Sequence, residues 1–101
     1  MSTTDKVGKF NFDYTRQIIA AGRKEEKLTS KEADLLQLLC SQRNEVVTRE
    51  KILTTIWGDY DYFKGRSMDV FIARLRKYLN SDGNVNILNV HGTGYKLVVN
   101  E

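Results

Sequence analysis

The stretch from Arg66 to Leu79 constrains the fold most, because its apolar residues recur at the spacing of an amphipathic helix. At 100° per residue, four apolar side chains fall within a sector of about 60°. They are Met68, Ile72, Leu75 and Leu79. A stripe this narrow packs one side of a helix on a core and leaves the other side to solvent or to a partner. The pattern therefore predicts an amphipathic helix over Arg66–Leu79.

The opposite face of this predicted helix mixes cations with small and apolar side chains. Its members are Arg66, Ser67, Val70, Ala73, Arg74 and Lys77. A face that served only solubility would not expose Val70 and would more commonly carry pairs of glutamate and lysine. The major groove of DNA favours the mixture, because arginine bonds guanine and a small apolar side chain contacts the thymine methyl. We therefore favour DNA recognition over a solvated basic face.

The positive charge of the chain is concentrated in the same segment. Residues 64–80 carry a net charge of +4, whereas all 101 residues together carry +3. Concentrated cations are typical of a surface that binds a phosphate-bearing partner. Arg76 and Tyr78 flank the outward face of the helix, where each is within reach of phosphates on a groove wall.

Two further helices are predicted before this one. Thr29 and Glu32 fit a capping box, in which each side chain accepts a hydrogen bond from the backbone N–H of the other residue. Apolar side chains at helical spacing follow, and this first helix should end near residues 41–44. Thr48 is the N-cap candidate of a second helix, and Gly58 is placed to end it. Two helices followed by a basic helix is the order of a helix-turn-helix.

Strand patterns flank the three helices. Phe10, Phe12 and Tyr14 alternate with polar residues and two short runs follow, so we expect an N-terminal antiparallel sheet of three or four strands. Near the C-terminus, the runs Asn86–Val90 and Tyr95–Val99 are joined by a glycine-rich turn, which predicts a β-hairpin. The predicted order is sheet, three helices and hairpin, and the fold class is α+β.

Composition narrows the class of protein further. A chain of 101 residues with 41% hydrophobic and 29% charged residues is typical of one globular domain. We expect residues 1–7 to be a flexible linker or tail and residues 8–101 to form the domain. No apolar run is long enough to span a bilayer and the start does not resemble a signal peptide, so we predict a cytoplasmic location.

The single cysteine and the single histidine argue against an enzyme or a metal site. Cys40 lies on the apolar face of the first helix, where we interpret it as a core residue. His91 has no second histidine with which to share a metal or a catalytic pair. We therefore predict no cofactor and no enzymatic activity. The alternative from another class is a domain that binds only proteins, which the salt dependence of binding would distinguish from a DNA binder.

Four segments of the chain, in register, resemble motifs of one known family. Leu28–Leu36 reads L-T-S-K-E-A-D-L-L and resembles the opening of the first helix in effector domains of OmpR/PhoB response regulators. Val47–Leu53, together with Ile56–Gly58, resembles the second helix of these domains. Arg66–Lys77 reads R-S-M-D-V-F-I-A-R-L-R-K and resembles their third helix. Val90–Leu97 reads V-H-G-T-G-Y-K-L and resembles their closing motif.

The resemblance implies a winged helix-turn-helix with a four-stranded N-terminal sheet, three helices and a C-terminal β-hairpin wing. In this family the third helix reads the major groove, and the tip of the wing touches the neighbouring minor groove. The resemblance also implies control of transcription in a two-component system, with a receiver domain that is phosphorylated and tandem dimers on direct repeats of double-stranded DNA. The residues before Thr29 are too few for a receiver, so we expect this chain to be the isolated effector half of a longer regulator.

The predicted DNA contacts divide into three groups. We assign base contacts to Arg66, Ser67, Val70, Ala73 and Arg74. We assign contacts with the DNA backbone to Thr48, Arg49, Arg76, Lys77, Tyr78 and Thr93. We assign the minor-groove end of the wing to His91 and Gly92.

Two positions depart from the family pattern. His91 stands where an arginine is common, and arginine suits the narrow minor groove of A-tracts, so we expect a weaker or pH-dependent contact by the wing. Phe71 stands where a histidine is common, at the edge between the core and the DNA-facing side. It is either a packing residue, which we prefer, or an apolar contact to a base or sugar.

The polar, aromatic-rich loop from Gly58 to Gly65 lies where relatives contact RNA polymerase. The residues that we assign to such a contact are Tyr60, Asp61, Tyr62, Phe63 and Lys64. The three aromatic residues either pack on the domain itself or mark a surface that contacts another protein.

Overall fold

The computed structural model describes residues 4–58, 62–80 and 83–100, and the side chains of all of these except residues 4 and 62–65. The chain begins with four short antiparallel strands that pair in sequence order. They are β1 (Thr4–Val7), β2 (Phe10–Asp13), β3 (Ile18–Ala21) and β4 (Lys24–Lys27). The four-stranded sheet that the family resemblance implied is therefore present.

The first strand corrects one prediction. Residues 1–7 were expected to be a flexible tail, but residues 4–7 form β1, in which Val7 pairs with Phe10 and is fully buried. The segment Thr4–Val7 has a single apolar residue, so its sequence carries no strand periodicity. Its strand conformation depends on the backbone hydrogen bonds that β2 supplies.

Helix α1 (Ser30–Ser41) begins as the sequence predicts. The Thr29 hydroxyl accepts a hydrogen bond from the backbone N–H of Glu32 (3.2 Å), and the Glu32 carboxylate accepts one from the backbone N–H of Thr29 (2.8 Å). The apolar stripe of the helix is buried, and Cys40 lies in it. The predicted capping box and the predicted core role of Cys40 are confirmed.

Helix α2 (Arg49–Ile52) is capped by the Thr48 hydroxyl, which accepts from the backbone N–H of Lys51 (3.1 Å). The helix continues into a π-helical segment, Leu53–Trp57, whose π-helical form was not predicted from the sequence. Within it, the Thr54 hydroxyl donates to backbone carbonyls of the preceding turn, a contact that accompanies local distortion of helices. Gly58 ends the segment with a φ of 89°, as expected of a C-terminal glycine.

Helix α3 (Tyr62–Leu79) is longer than predicted. Residues 62–65 were assigned to the loop before it, but they form its first turn. A glycine inside a helix costs only about 1 kcal/mol, so Gly65 does not stop a helix that the downstream stripe stabilises. The stripe itself is buried as predicted, with Met68, Ile72, Leu75 and Leu79 each at most 1% exposed.

The C-terminal sheet contains the predicted hairpin and one further strand. Strands β5 (Val46–Thr48), β6 (Val85–Val90) and β7 (Gly94–Val99) lie in the order β5-β7-β6. Strand β5 was not predicted from the sequence, because three residues between two helices show no periodicity. A Cβ atom at Gly94 would lie 2.1 Å from the carbonyl oxygen of Val47, so this position requires glycine for β7 to approach β5.

Candidate nucleic-acid interface

The outward side of α3 presents all six side chains that the helical angles placed there. Val70 is 51% exposed, and its neighbours on this face are also exposed. These neighbours are Arg66, Ser67, Ala73, Arg74 and Lys77. The structure therefore brings the predicted base contacts together on one solvent-facing surface. An apolar Val70 set between cations is suited to the mixed chemistry of base edges in a major groove.

Phe71 lies at the margin of this surface and packs against the domain. Its ring is half-buried, with its centroid 5.8 Å from that of Trp57. The guanidinium carbon of Arg74 lies 5.3 Å from the Phe71 centroid, within the range of a cation–π interaction. Of the two interpretations of Phe71, these contacts favour the packing residue, and they add a role in supporting Arg74.

Arg49, Asp69 and Tyr95 form a hydrogen-bonded group beside the outward face. Nη1 of Arg49 donates to Oδ1 of Asp69 (3.1 Å), and the hydroxyl of Tyr95 donates to the same oxygen (2.5 Å). The hydrogen bond to Asp69 raises the pKa of Arg49. Burial, followed by the hydrogen bond to Asp69, raises the pKa of Tyr95. At neutral pH Arg49 is therefore a cation and Tyr95 a neutral phenol.

Asp69 and Tyr95 were not among the residues singled out in the sequence. The available signal was an acidic residue on an otherwise basic helix surface. Arg49 was assigned to the DNA backbone, and the structure pairs its guanidinium with Asp69. Its side chain remains 32% exposed, next to the outward face of α3.

The tip of the hairpin lies against the start of α2. The backbone N–H of Arg49 donates to the carbonyl oxygen of Thr93 (3.1 Å), and Thr48 pairs with Gly94 in the sheet. His91, Gly92 and Thr93 are exposed at the turn, where Gly92 has a φ of 72°. The structure thus brings the predicted contacts of the wing together with those at the start of α2.

Arg76 and Tyr78 differ from the other predicted backbone contacts. Nε of Arg76 donates to the carbonyl oxygen of Ile87 in β6 (3.0 Å), so part of its guanidinium is used within the protein. Tyr78 is half-buried and lines a cavity of about 270 Å³ with Phe10 and Glu26 of the N-terminal sheet. Burial, followed by the charges of Glu32 and Glu26, raises the pKa of Tyr78. Tyr78 packs towards the sheet, and Lys77 is exposed and lines the same cavity.

The residues assigned to a polymerase contact are only partly described. Tyr60 and Asp61 lie outside the described residues. Tyr62, Phe63 and Lys64 belong to the first turn of α3 rather than to a loop, which corrects the predicted boundary.

The described residues offer no alternative site of a familiar kind. Within 4–58, 62–80 and 83–100, no three histidine, cysteine, aspartate or glutamate side chains group as they would around a metal ion. None of the helices in these ranges is long and apolar enough to cross a membrane. Burial raises the pKa of the Cys40 thiol to about 12, which leaves it protonated and unreactive at neutral pH.

The two sheets, the three helices and the mixed outward face of α3 define a winged-helix DNA-binding domain. A family model described as "Transcriptional regulatory protein, C terminal" matches residues 23–97. The chain belongs to this family. It is a DNA-binding domain of the OmpR/PhoB type that acts in transcriptional regulation, so the predicted fold class and the predicted role in DNA binding and transcriptional control are confirmed.

Individual relatives agree with this assignment. The transcriptional regulatory protein RprY of Bacteroides fragilis is 52% identical over 100 residues, which cover 99% of this chain and 42% of RprY. The chain spans less than half the length of that relative.

Two solved structures share the fold. The crystal structure of the Klebsiella pneumoniae RstA DNA-binding domain in complex with the RstA box is 26% identical to this chain, with a TM-score of 0.78 and coverage of 94% of this chain and 96% of that one. The response regulator DrrB, a Thermotoga maritima OmpR/PhoB homologue, is 32% identical, with a TM-score of 0.77 and coverage of 94% and 44%.

Proposed function

We propose that this chain is the DNA-reading part of a two-component response regulator, with α3 in the major groove and the β6–β7 hairpin at the adjacent minor groove. The observation that carries the proposal is the outward face of α3, where a half-exposed Val70 lies between exposed arginines. An apolar side chain in that setting is desolvated at little cost in free energy when it enters a groove and contacts a thymine methyl. RstA, whose domain shares the fold, is seen in complex with its DNA box.

Each group of residues has a separate role in the proposal. Arg66, Ser67, Val70, Ala73 and Arg74 contact base edges and determine the sequence that is bound. Thr48, Arg49, Lys77 and Thr93 lie around them and contact phosphates, which fixes the register of the protein on the duplex. Arg76 reaches a phosphate only through the N–H groups that its bond to Ile87 leaves available. His91 and Gly92 meet the minor groove, and the domain acts by binding rather than by catalysis.

The rest of the regulator is part of the proposal. RprY extends well beyond the region that this chain matches, which is consistent with an upstream receiver domain whose phosphorylation controls binding. The domain then binds direct-repeat half-sites as a tandem dimer in the cytoplasm. The residues proposed to contact RNA polymerase are Tyr60, Asp61, Tyr62, Phe63 and Lys64. Substitution of Tyr62 or Phe63 should then abolish activated transcription in vitro and leave the gel-shift affinity unchanged.

A binding-site selection with random duplexes, run at two salt concentrations, tests the DNA-reading role. We expect one enriched motif and an affinity that falls steeply as salt rises, since each phosphate contact releases counterions. Arg16→Ala is the matched control for substitution of an arginine in α3, because it removes one exposed cation from the turn between β2 and β3. If no motif is enriched, or if the affinity does not change with salt concentration, the result would instead favour a domain that contacts only proteins.

A further inference from the structure

One carboxylate oxygen joins the three elements that surround the proposed DNA surface. Oδ1 of Asp69 in α3 accepts hydrogen bonds from Arg49 at the start of α2 and from Tyr95 in β7. The backbone N–H of Arg49 in turn donates to Thr93 in the turn of the hairpin. A continuous path of hydrogen bonds therefore runs from α3 to the tip of the wing.

The energetics of this group argue against a role in stability alone. The Arg49–Asp69 ion pair has side chains that are 32% and 49% exposed, and exposed pairs of this kind contribute little to folding. A carboxylate beside the DNA-facing surface is also repelled by phosphates, so by itself Asp69 lowers affinity. Its bond to Tyr95, a residue only 4% exposed, is the part of the arrangement that is held in one geometry.

We propose that Asp69 is a positioning residue for DNA binding: through Tyr95 and Arg49 it fixes the wing relative to α3, so that both grooves are contacted at once. The inference rests on the proposed function, because it requires that the wing contributes to binding. A wing held in place loses less conformational freedom when DNA binds, which is the advantage of preorganisation.

Tyr95→Phe is the sharpest variant, because it removes only the hydroxyl and keeps the buried ring. Tyr14→Phe is its matched control. The Tyr14 hydroxyl donates to Asp34 (2.6 Å), so this substitution deletes the same kind of bond between α1 and the segment after β2, away from α3 and the wing. Asp69→Asn is a second variant, which retains an acceptor for Tyr95 and removes the charge that binds Arg49.

Two duplexes make the readout specific for positioning. One carries the selected half-site with the flanking bases that the wing protects from hydroxyl radicals, and the other ends before those bases. We expect Tyr95→Phe to lower affinity for the long duplex by about threefold to tenfold, as the loss of one hydrogen bond predicts, and to leave affinity for the short duplex unchanged. Asp69→Asn should likewise reduce the preference for the long duplex over the short one. Tyr14→Phe should bind both duplexes as the unmodified protein does.

Residual dipolar couplings of the Tyr95→Phe variant in the absence of DNA provide a second measurement. We expect residues 85–99 to fit the alignment of α3 less well than in the unmodified protein, and unchanged couplings would contradict the inference. Equal losses on the two duplexes, or no loss on either, would also overturn it. If the unmodified protein binds both duplexes equally, the wing contact of the proposed function fails as well, which separates the two failures. Should Tyr95→Phe not fold, Asp69→Asn and the same duplexes decide the question.

Discussion

The guanidinium carbon of Arg74 lies 5.3 Å from the centre of the Phe71 ring, which in turn forms an aromatic pair with Trp57. An arginine side chain has several rotatable bonds, and holding it in one arrangement costs conformational entropy when it binds a base. The cation–π contact with this ring limits that freedom before DNA binds. The contact links the core, through Trp57, to the residue that we expect to read a base.

Arg74→Ala should weaken specific DNA binding by about 1–3 kcal/mol and relax one base position, because a bidentate contact to guanine would be lost. A binding-site selection on the variant measures both effects. Arg16→Ala removes an equal charge at a distance and should retain the original motif. An unchanged motif for Arg74→Ala would contradict the assignment.

Arg76 offers a prediction in which charge and hydrogen bonding are separated. Arg76→Ala should lower affinity for all sequences alike and reduce the magnitude of the salt slope by about one, as the loss of one phosphate contact requires. It should also lower the free energy of unfolding by about 1 kcal/mol, because the bond to Ile87 is lost. Arg76→Gln keeps a donor and should reproduce only the change in slope. Salt slopes equal to that of the unmodified protein would exclude the phosphate contact.

His91→Arg should tighten binding to sites that have an A-tract beside the half-site. Arginine is favoured in the narrow, electronegative minor groove of such tracts, and His91 is exposed at the tip of the hairpin. Gel shifts on duplexes with and without the A-tract measure the difference. The same gain on both duplexes would indicate a general charge effect rather than a contact of the wing with the groove.

Gly94→Ala should destabilise the domain by about 2–4 kcal/mol, because the new methyl group would overlap the Val47 carbonyl and force β7 away from β5. Gly83→Ala is the control, since a Cβ at that position meets nothing within 4 Å. Its effect should stay within about 0.5 kcal/mol. Urea unfolding of the two variants measures the contrast, and similar midpoints would show that β5 and β7 separate without cost.

The raised pKa of the buried Cys40 thiol should make the protein less stable at alkaline pH. Its thiol has a pKa of about 12 in the folded protein and an ordinary pKa of 9.0 when exposed to water, so the unfolded chain releases the proton first. The contribution of the protonated thiol to the free energy of unfolding is fully present below pH 9. It is lost as the pH rises towards 12, by up to about 1.4 kcal/mol per pH unit. Unfolding measurements at several pH values should show a steeper decline for the unmodified protein than for Cys40→Ala. Parallel curves for the two proteins would contradict the raised pKa.

The parts of the fold that were predicted correctly depend on local sequence. The capping box at Thr29, the cap at Thr48 and the buried stripe of α3 each arise from side chains a few residues apart. The strands β1 and β5 were missed because they are short and gain their hydrogen bonds from strands elsewhere. Residues 62–65 were misassigned because Gly65 weighs against a helix locally, whereas the packing of α3 as a whole outweighs it.

The sequence by itself determined which face of α3 is buried and which is exposed, because that division follows from a period of 3.6 residues. It also determined the class of protein, through four motifs in register. Only the tertiary structure decided that Asp69 accepts hydrogen bonds from Arg49 and Tyr95. It also decided that Arg76 donates a hydrogen bond to β6 of the wing and that Tyr78 packs towards the N-terminal sheet. All of these contacts join residues more than ten positions apart, and no local periodicity encodes a distance across the folded chain.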